Sequence, residues 1–363
     1  MINPHAQGLD YGSSGEWLRN TGPERDVVIS SRVRLARNIR GFRFMSKADR
    51  PEREDLVVKT RAQVMKVRDE GTMIWFDLPG IAEQERSILV ERHLISQQLA
   101  KGAGSTGASG LDQPRGAAVS ADESLSIMVN EEDHLRIQVI RSGLQLRDAW
   151  REANEIDDRL EQAIPFAFHE RFGYLTACPT NMGTGIRVSV MLHLPALTLT
   201  NEIERVRRAT RDMQLAVRGF YGEGSDATGD LFQVSNQTTL GKSEEEILDE
   251  FDTRVIPQVI EYERQARRLL VEKRSAVLDD RVFRALGTLQ NARLLKTDEA
   301  MRMLSHLRLG VEAGRITNVP VERVNRLMLM CQPAHLQRAA GKALTQADRA
   351  EARATMVRSE LAR

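Results

Sequence analysis

An acidic turn between two apolar segments, residues 124–143, reads SLSIMVNEEDHLRIQVIRSG. The segments on both sides of the turn are typical of β-strands. Between them lie three carboxylates, on Glu131, Glu132 and Asp133. Carboxylates packed this closely repel one another and need a cation, a proton or a hydrogen-bond donor. One of them could orient a guanidinium group through paired hydrogen bonds and assist loss of its proton. A solvated acidic turn is the simpler explanation for an isolated EED.

Upstream, DVVIS (26–30) is typical of a short strand and continues into SSRVRLARN (30–38). Alternation in this stretch places Arg32 and Arg34 on one face of a strand and apolar side chains on the other. Arginine suits phosphate because its planar fork matches phosphate oxygens and it stays charged. Each arginine alone is better explained as solvated surface, but their repeated position beside strand junctions favours a phosphate-handling site. The others at such junctions are Arg136, Arg187 and Arg218.

Downstream, Cys178 lies in ACPTN, where Pro179 biases it towards extended backbone. A thiol near arginines could contact a cationic substrate, although a structural role is more common for a single buried cysteine. We expect YLTACPTN (174–181) and IRVSVMLHLP (186–195) to form two strands joined by a turn.

The rest of the chain predicts an α+β fold that becomes entirely helical after about residue 260. Ser243 and Glu246 predict a capping box, and Thr297 is expected to cap a helix that stops at Gly310. Helices are predicted over 51–70, 146–163 and 201–217, and a helical or mixed segment over 83–98. A strand running into a turn is predicted over 73–80 and a further strand over 231–237. The predicted domains are an N-terminal extension (1–25), a catalytic domain (26–260) and a helical C-terminal domain (261–363).

Composition excludes several classes of protein. The 363 residues are 41% hydrophobic and carry a net charge of +1, which argues against a nucleic-acid binder. The cysteines are Cys178 and Cys331, so we expect no disulfide framework, no zinc site and a cytoplasmic location. Neither a signal peptide nor a membrane span is indicated. TTLGKS (238–243) is not a phosphate-binding loop, because Asn236 stands where its first glycine should be.

These motifs resemble those of the phosphagen (guanidino) kinases, the family of creatine and arginine kinases. SSRVRLAR is similar to the family's STRVR strand, NEEDHLRI to its NEEDHLR motif, and CPTNMGTGIRVSV to its CPTNLGT signature with the following arginine. The resemblance covers about residues 26–255 and implies an antiparallel-sheet catalytic domain flanked by helices. It is greatest to the bacterial protein arginine kinases, since Tyr221 stands where small-substrate members tend to carry arginine. The segment 279–310 also resembles the helical C-terminal domain of that branch.

The resemblance implies roles for individual residues. Glu132 would align and deprotonate the guanidinium, Cys178 would pack against it, and Glu223 or Asp226 would add a second carboxylate. The implied nucleotide site comprises Ser30, Ser31, Arg32, Val33, Arg34, His93, Arg136, Arg187, Val188, Ser189, Val190, Met191, Arg218, Gly219, Phe220, Tyr221, Gly222 and Glu223.

A C-terminal RDxxRA motif of that branch is thought to bind phosphoarginine allosterically. The corresponding residues here are Arg349, Ala350, Glu351, Ala352, Arg353 and Ala354. Both arginines remain but the aspartate is replaced by Ala350, which puts regulation through this pocket in doubt. An ordinary charged surface helix is an equally good interpretation.

The implied activity is transfer of the γ-phosphoryl group of ATP, with Mg²⁺, to arginine side chains of proteins destined for a Clp unfoldase and protease. The implied partners also include a zinc-binding activator protein and a second copy of the chain, bound through the helical domain. The alternatives are a small-molecule guanidino kinase and a non-catalytic adaptor that binds phosphoarginine or ATP.

Overall fold

A computed structural model describes residues 9–13, 15–102, 112–212, 215–219, 228–237 and 239–362. The strands are β1 Val28–Arg37, β2 Met73–Asp77, β3 Gly116–Ser120, β4 Leu125–Val129, β5 Leu135–Ser142, β6 Phe168–His169, β7 Gly173–Tyr174, β8 Ile186–His193, β9 Leu215–Arg218 and β10 Leu231–Asn236. The helices are α1 Arg50–Val64, α2 Glu83–Glu91, α3 Gln97–Lys101, α4 Leu146–Ala163, α5 Pro195–Leu199, α6 Ile203–Asp212, α7 Glu244–Asp249, α8 Ile256–Lys273, α9 Ser275–Asn291, α10 Thr297–Glu312, α11 Val321–Met330, α12 Pro333–Ala340 and α13 Gln346–Leu361.

Eight of these strands form one antiparallel sheet in the order β2-β3-β4-β5-β1-β8-β10-β9. The central strand β1 pairs with β5 and β8, so that Val33 lies opposite Val139 and Val188. These three valines are fully buried in the same core as the apolar face of α4. Because side chains alternate along a strand, Arg32 and Arg34 lie on the other face. The predicted α+β class and antiparallel sheet are confirmed.

Helices α9 to α13 follow the sheet, and a buried arginine joins them to the segment that leads into β1. Arg308, on α10, is fully buried and donates to the backbone oxygens of Arg25 and Asp26 and to Asn325 Oδ1. The predicted domain boundary at residue 260 lies inside α8, which continues from a π-helical turn at Glu250–Val255. No helix among the described residues is long and apolar enough to span a membrane.

The capping box of Ser243 and Glu246 is confirmed at the start of α7, as is the helix over 146–163. The predicted cap and end of α10 are wrong. Lys296 occupies the N-cap position without a side-chain bond, and the helix continues through Gly310 to Glu312. A Cβ on Gly310 would lie 2.3 Å from Val282 Cγ1, so this glycine allows close helix packing instead of ending the helix.

Two other predictions were partly wrong, because tertiary contacts override local pattern. The predicted helix 201–217 ends at Asp212, and Leu215–Arg218 is the sheet-edge strand β9. YLTACPTN contributes only Tyr174 to a strand and otherwise forms a loop with a 3₁₀ turn at Pro179–Asn181.

Candidate active site

A cavity of about 620 Å³ lies over the polar face of the sheet, above β1, β5 and β8. Side chains from the acidic turn, the cysteine loop and helix α3 also reach it. Its lining includes the residues Arg32, Arg34, His93, Ser96, Glu131, Glu132, Arg136, Gln138, Cys178, Thr180, Asn181, Arg187 and Gln233. The structure thus brings together residues from motifs that are far apart in sequence.

Four arginines concentrate positive charge in this cavity. Arg34 lies directly opposite Arg187 in the pairing of β1 with β8, an arrangement of like charges that is unfavourable by itself. Burial, and then the neighbouring Arg32, Arg136 and Arg187, hold the pKa of Arg34 well below its ordinary value. Its Nε has no hydrogen-bond partner among the described residues. An anion with several oxygens would relieve both the repulsion and the unmet donor, so a nucleotide's phosphates fit here.

Neutral groups orient two of these arginines without cancelling their charge. Arg32 donates to Gln233 Oε1 at 2.8 Å and to Ser189 Oγ at 3.2 Å, and Arg187 donates to Ser235 Oγ at 3.3 Å. Sequence reasoning missed Gln233 and Ser235. Their alternation with the apolar Phe232 and Val234 in LFQVSNQ was the available signal, since it places both on one face of β10.

The three carboxylates of the acidic turn have different surroundings. Glu131 is buried, lies 2.5 Å from Arg136 and accepts a hydrogen bond from Ser96. Glu132 is 40% exposed at its side chain and lies 3.5 Å from Arg136. Glu131 therefore fixes an arginine, whereas Glu132 is the carboxylate presented to the open cavity.

The third carboxylate, Asp133, holds the cysteine loop. Its Oδ1 accepts from the backbone nitrogen of Ala177 at 2.7 Å and from Asn38 Nδ2 at 2.6 Å. Thr239 Oγ1 donates to the backbone oxygens of Thr180 and Met182 at 3.1 and 2.6 Å, on the other side of the loop.

These contacts place Cys178, half-buried, in the wall of the cavity that Glu132 also lines. Its Sγ lies 3.0 Å from Thr180 Oγ1.

His93 closes one end of the cavity. It has a left-handed backbone (φ 58°), and its ring meets that of Trp17 edge-on at 4.6 Å. Burial, followed by the nearby charge of Arg32, lowers the pKa of His93 to about 3. The ring is therefore neutral at pH 7 and can lie beside an uncharged planar group such as a nucleobase.

Comparison with known proteins gives this site a family. The model of the ATP:guanido phosphotransferase C-terminal catalytic domain matches residues 54–266, and that of the protein-arginine kinase McsB C-terminal domain matches residues 275–363. The protein-arginine kinase of Symbiobacterium thermophilum is 46% identical over 352 residues, which cover 96% of this chain and 97% of that one. The chain belongs to the protein-arginine kinase family.

Other similarities agree with this membership. The protein-arginine kinase of Halothermothrix orenii is 44% identical over 345 residues, which cover 95% of this chain and 96% of that one. The crystal structure of a lombricine kinase matches with a TM-score of 0.56 and 25% identity over 71% of each chain. A duplicated taurocyamine kinase from Schistosoma mansoni matches with a TM-score of 0.59 and 23% identity, over 73% of this chain and 37% of that one, and supports the fold alone.

Not every residue that the family resemblance implied reaches the cavity. Val33, Val188 and Val190 are fully buried in the core beneath the sheet. Ser31 also points away, since its hydroxyl donates to the backbone oxygen of Gly143. The family resemblance assigned whole segments to the nucleotide site, which was too broad, because alternate residues of a strand face opposite sides of the sheet.

Ser30, Ser189 and Met191 line a small pocket that adjoins the cavity. The backbone of Arg218 pairs with Gln233 in the sheet, and Gly219 follows the end of β9. Outside the described residues lie Phe220, Tyr221, Gly222, Glu223 and Asp226.

The C-terminal segment that the family resemblance implies for phosphoarginine lies on helix α13. Arg353 is 2% exposed and donates to the backbone oxygens of Cys331 and Leu295, each at 2.8 Å. Arg349 donates to the backbone oxygen of Leu344. Ala354 is fully buried, and Ala350 accepts a backbone bond from Leu295. In this arrangement the Nε and one Nη of Arg353 fasten α13 to its neighbours. Glu351 and Ala352 complete the segment on the same helix.

Proposed function

We propose that this chain transfers the γ-phosphoryl group of ATP to arginine side chains of proteins. The observation that carries the proposal is that four arginines, Glu132 and Cys178 line the same cavity. The protein-arginine kinases that resemble this chain over nearly their whole length support a protein substrate.

The residues divide the chemistry between them. Bound Mg-ATP would supply the phosphoryl group and its divalent counter-ion. Arg34, Arg187 and Arg32 would hold the phosphates and neutralise charge that spreads over the transferring group. Among the described residues no cluster of three or more His, Cys, Asp or Glu side chains could hold a metal.

Glu132 would orient the substrate guanidinium and accept its proton. This step is required because a protonated guanidinium has no nucleophilic lone pair, and its pKa exceeds about 12. The new bond joins a guanidinium nitrogen to phosphorus, the bond between phosphorus and the bridging oxygen breaks, and ADP leaves. Cys178 would pack against the guanidinium from the cavity wall.

Incubation with Mg-ATP and either free arginine or an unstructured arginine-rich protein tests the proposal, with phosphoarginine detected under neutral conditions. We expect label on the protein and none on free arginine. Label on free arginine alone would indicate a metabolic guanidino kinase, the activity class of the lombricine kinase that shares the fold. Label on neither substrate would favour a non-catalytic adaptor or the need for an activator protein.

Several implied relationships are proposals that rest on family resemblance alone. They are a zinc-binding activator protein, delivery of marked proteins to a Clp unfoldase and protease, a homodimer through the helical domain, and a cytoplasmic location. Co-purification with candidate partners and the measured mass of the purified protein in solution would test them.

A further inference from the structure

Helix α12 of the helical domain is bound to the end of helix α2, immediately before His93. The N-cap residue of α12, Gln332, makes no side-chain cap bond. Instead the buried carboxylate of Glu91, the last residue of α2, accepts from the backbone nitrogens of Ala334 and His335 at 2.8 and 3.1 Å. A carboxylate in this position satisfies free donors of the first turn and is favoured by the helix dipole. The catalytic domain therefore supplies the cap of a helix in the C-terminal domain.

The next residue, Arg92, binds the same helix through His335. Arg92 is fully buried, and its Nη1 lies 3.2 Å from His335 Nε2. A guanidinium only donates hydrogen bonds, so Nε2 accepts and the ring proton lies on Nδ1, which is 2.7 Å from Glu91 Oε2. Glu123 accepts from Arg92 Nε at 2.9 and 3.0 Å and balances its charge. His335 thus bridges the two consecutive residues at the end of α2.

His93 has a backbone conformation that its surroundings must hold in place. Its amide donates to the oxygen of Val90 and the amide of Leu94 donates to that of Leu89, each at 2.9 Å, which is the Schellman arrangement that closes a helix. This motif places a left-handed residue, usually glycine or asparagine, where His93 stands with φ 58°, and a histidine adopts that conformation at a cost in energy. Gln138 Nε2 supports it from the sheet, donating to the backbone oxygen of His93 at 2.8 Å. The position of the ring in the cavity depends on this turn.

We propose that His335 on α12 is a positioning residue for the nucleotide. By holding Glu91 and Arg92, it keeps the following His93 in the conformation that places the ring beside a nucleobase. This inference rests on the proposed function, since it needs a nucleotide in the cavity. The arginines proposed to bind the phosphates lie on β1, β5 and β8 of the sheet, outside this network. A weaker contact with α12 should therefore reduce binding of the base and leave binding of the phosphates unchanged.

The test compares a ligand that has the base with one that lacks it. Mg-ADP probes the whole site and magnesium tripolyphosphate probes the arginines alone, with both Kd values measured by calorimetry. His335→Asn keeps a donor for Glu91 but has no acceptor that reaches Arg92, whereas His335→Gln can place its Oε1 where Nε2 accepts from Arg92. His93→Asn removes the ring and keeps a residue that tolerates a left-handed backbone.

Ser305→Ala is the matched control in the helical domain. Ser305 is fully buried on α10, and its Oγ donates to Asp230 Oδ2 at 2.5 Å and lies 2.9 Å from His193 Nε2. His193 is the last residue of β8, and Asp230 directly precedes β10. The control therefore also removes buried hydrogen bonds between the helical domain and the catalytic domain, but at a position that does not involve α2.

We expect His335→Asn to weaken Mg-ADP binding about tenfold, which corresponds to about 1.4 kcal/mol. Its affinity for magnesium tripolyphosphate should equal that of the wild type, which also shows that the variant is folded. His93→Asn should show the same selective loss. His335→Gln and Ser305→Ala should keep both affinities close to those of the wild type.

Unchanged Mg-ADP affinity in His335→Asn or in His93→Asn would overturn the inference and leave the kinase proposal intact. An equal loss of both ligands in His335→Asn would also overturn it, because α12 would then support the fold as a whole. The same selective loss in Ser305→Ala would assign the effect to the docking of the helical domain in general, and in His335→Gln it would exclude the bond to Arg92 as the cause; either result refutes the inference. If the wild type binds no Mg-ADP, the proposed function itself fails, and the inference fails with it.

Discussion

Replacing Arg34 with methionine should stabilise the nucleotide-free protein while weakening nucleotide binding. Arg34 lies opposite Arg187 and has a buried Nε without a hydrogen-bond partner among the described residues. Leaving a buried donor unsatisfied costs about 1–3 kcal/mol, and like charges across a strand pair add to that cost. Methionine has a similar length and no charge, and it adapts to irregular packing.

We expect Arg34→Met to raise the free energy of unfolding by about 2 kcal/mol, in the middle of that range. With an unfolding entropy of about 2.1 cal/mol/K per residue, this corresponds to a Tm increase of about 3 °C for a chain of this length. The positive charge of Arg34 lowers the stability of the nucleotide-free protein, but it is required to bind the phosphates of the nucleotide.

A second arginine of the same cavity provides the contrast. Arg136 is 2.5 Å from Glu131, whose side chain is 1% exposed. Arg136→Met removes the partner of a buried carboxylate, and breaking such a pair costs about 3–5 kcal/mol. This variant should therefore unfold more easily, although it also removes one positive charge from the same cluster.

The assay is chemical or thermal unfolding of the wild type and both variants, without nucleotide and with Mg-ADP. At a nucleotide concentration a hundredfold above the wild-type Kd, binding stabilises the wild type by about 2.7 kcal/mol. A hundredfold weaker site, as expected for both variants, would retain less than about 0.5 kcal/mol of that effect. The reasoning is refuted if nucleotide-free Arg34→Met loses as much stability as Arg136→Met, since Arg34 would then be satisfied within the protein.

Three further predictions concern single sites. Glu132→Gln should lower kcat by at least about a hundredfold and leave the stabilisation by Mg-ADP unchanged. Transfer is measured by phosphoarginine detection, and a variant that still transfers the phosphoryl group would show that Glu132 is not the base. Gly310→Ala should lower the free energy of unfolding by about 2 kcal/mol, because the new Cβ would lie 2.3 Å from Val282 Cγ1. Gly287→Ala is the control: nothing lies within 4 Å of its new Cβ, so it should stabilise helix α9 by up to about 1 kcal/mol. Equal Tm values for the two variants would contradict this reasoning. Burial and neighbouring arginines hold the pKa of His193 well below its ordinary value, so only the unfolded chain gains a proton below about pH 6.5. Stability should fall as pH falls below that point, and between pH 7 and 5 the wild type should lose about 2 kcal/mol more than His193→Gln; equal losses in denaturant titrations would show that His193 is protonated in the folded protein.

The amino-acid sequence by itself determined those features that depend on local geometry. Alternation in SSRVRLARN placed Arg32 and Arg34 on the face opposite Val33, because successive side chains of a strand point in opposite directions whatever the strand packs against. The capping box at Ser243 could be read in the same way, since donor and acceptor are three residues apart. The acidic turn and the cysteine loop could be identified as motifs, and the family resemblance singled out Glu132 and Cys178, but residue type and spacing did not distinguish the surroundings of the three carboxylates.

Only the tertiary structure decided those divisions, because they depend on partners far away in the sequence. Glu131, Glu132 and Asp133 are chemically similar neighbours, yet Arg136 binds the first most closely and Asn38 and Ala177 hold the third.

Arg353 was implied only as a phosphate-binding arginine, and the structure shows that it also donates to the backbone oxygens of Cys331 and Leu295. Gly310 looked like a helix end until Val282 was found against it. Periodicity specifies the direction in which a side chain points, whereas burial, charge and hydrogen bonding depend on everything that the fold brings to meet it.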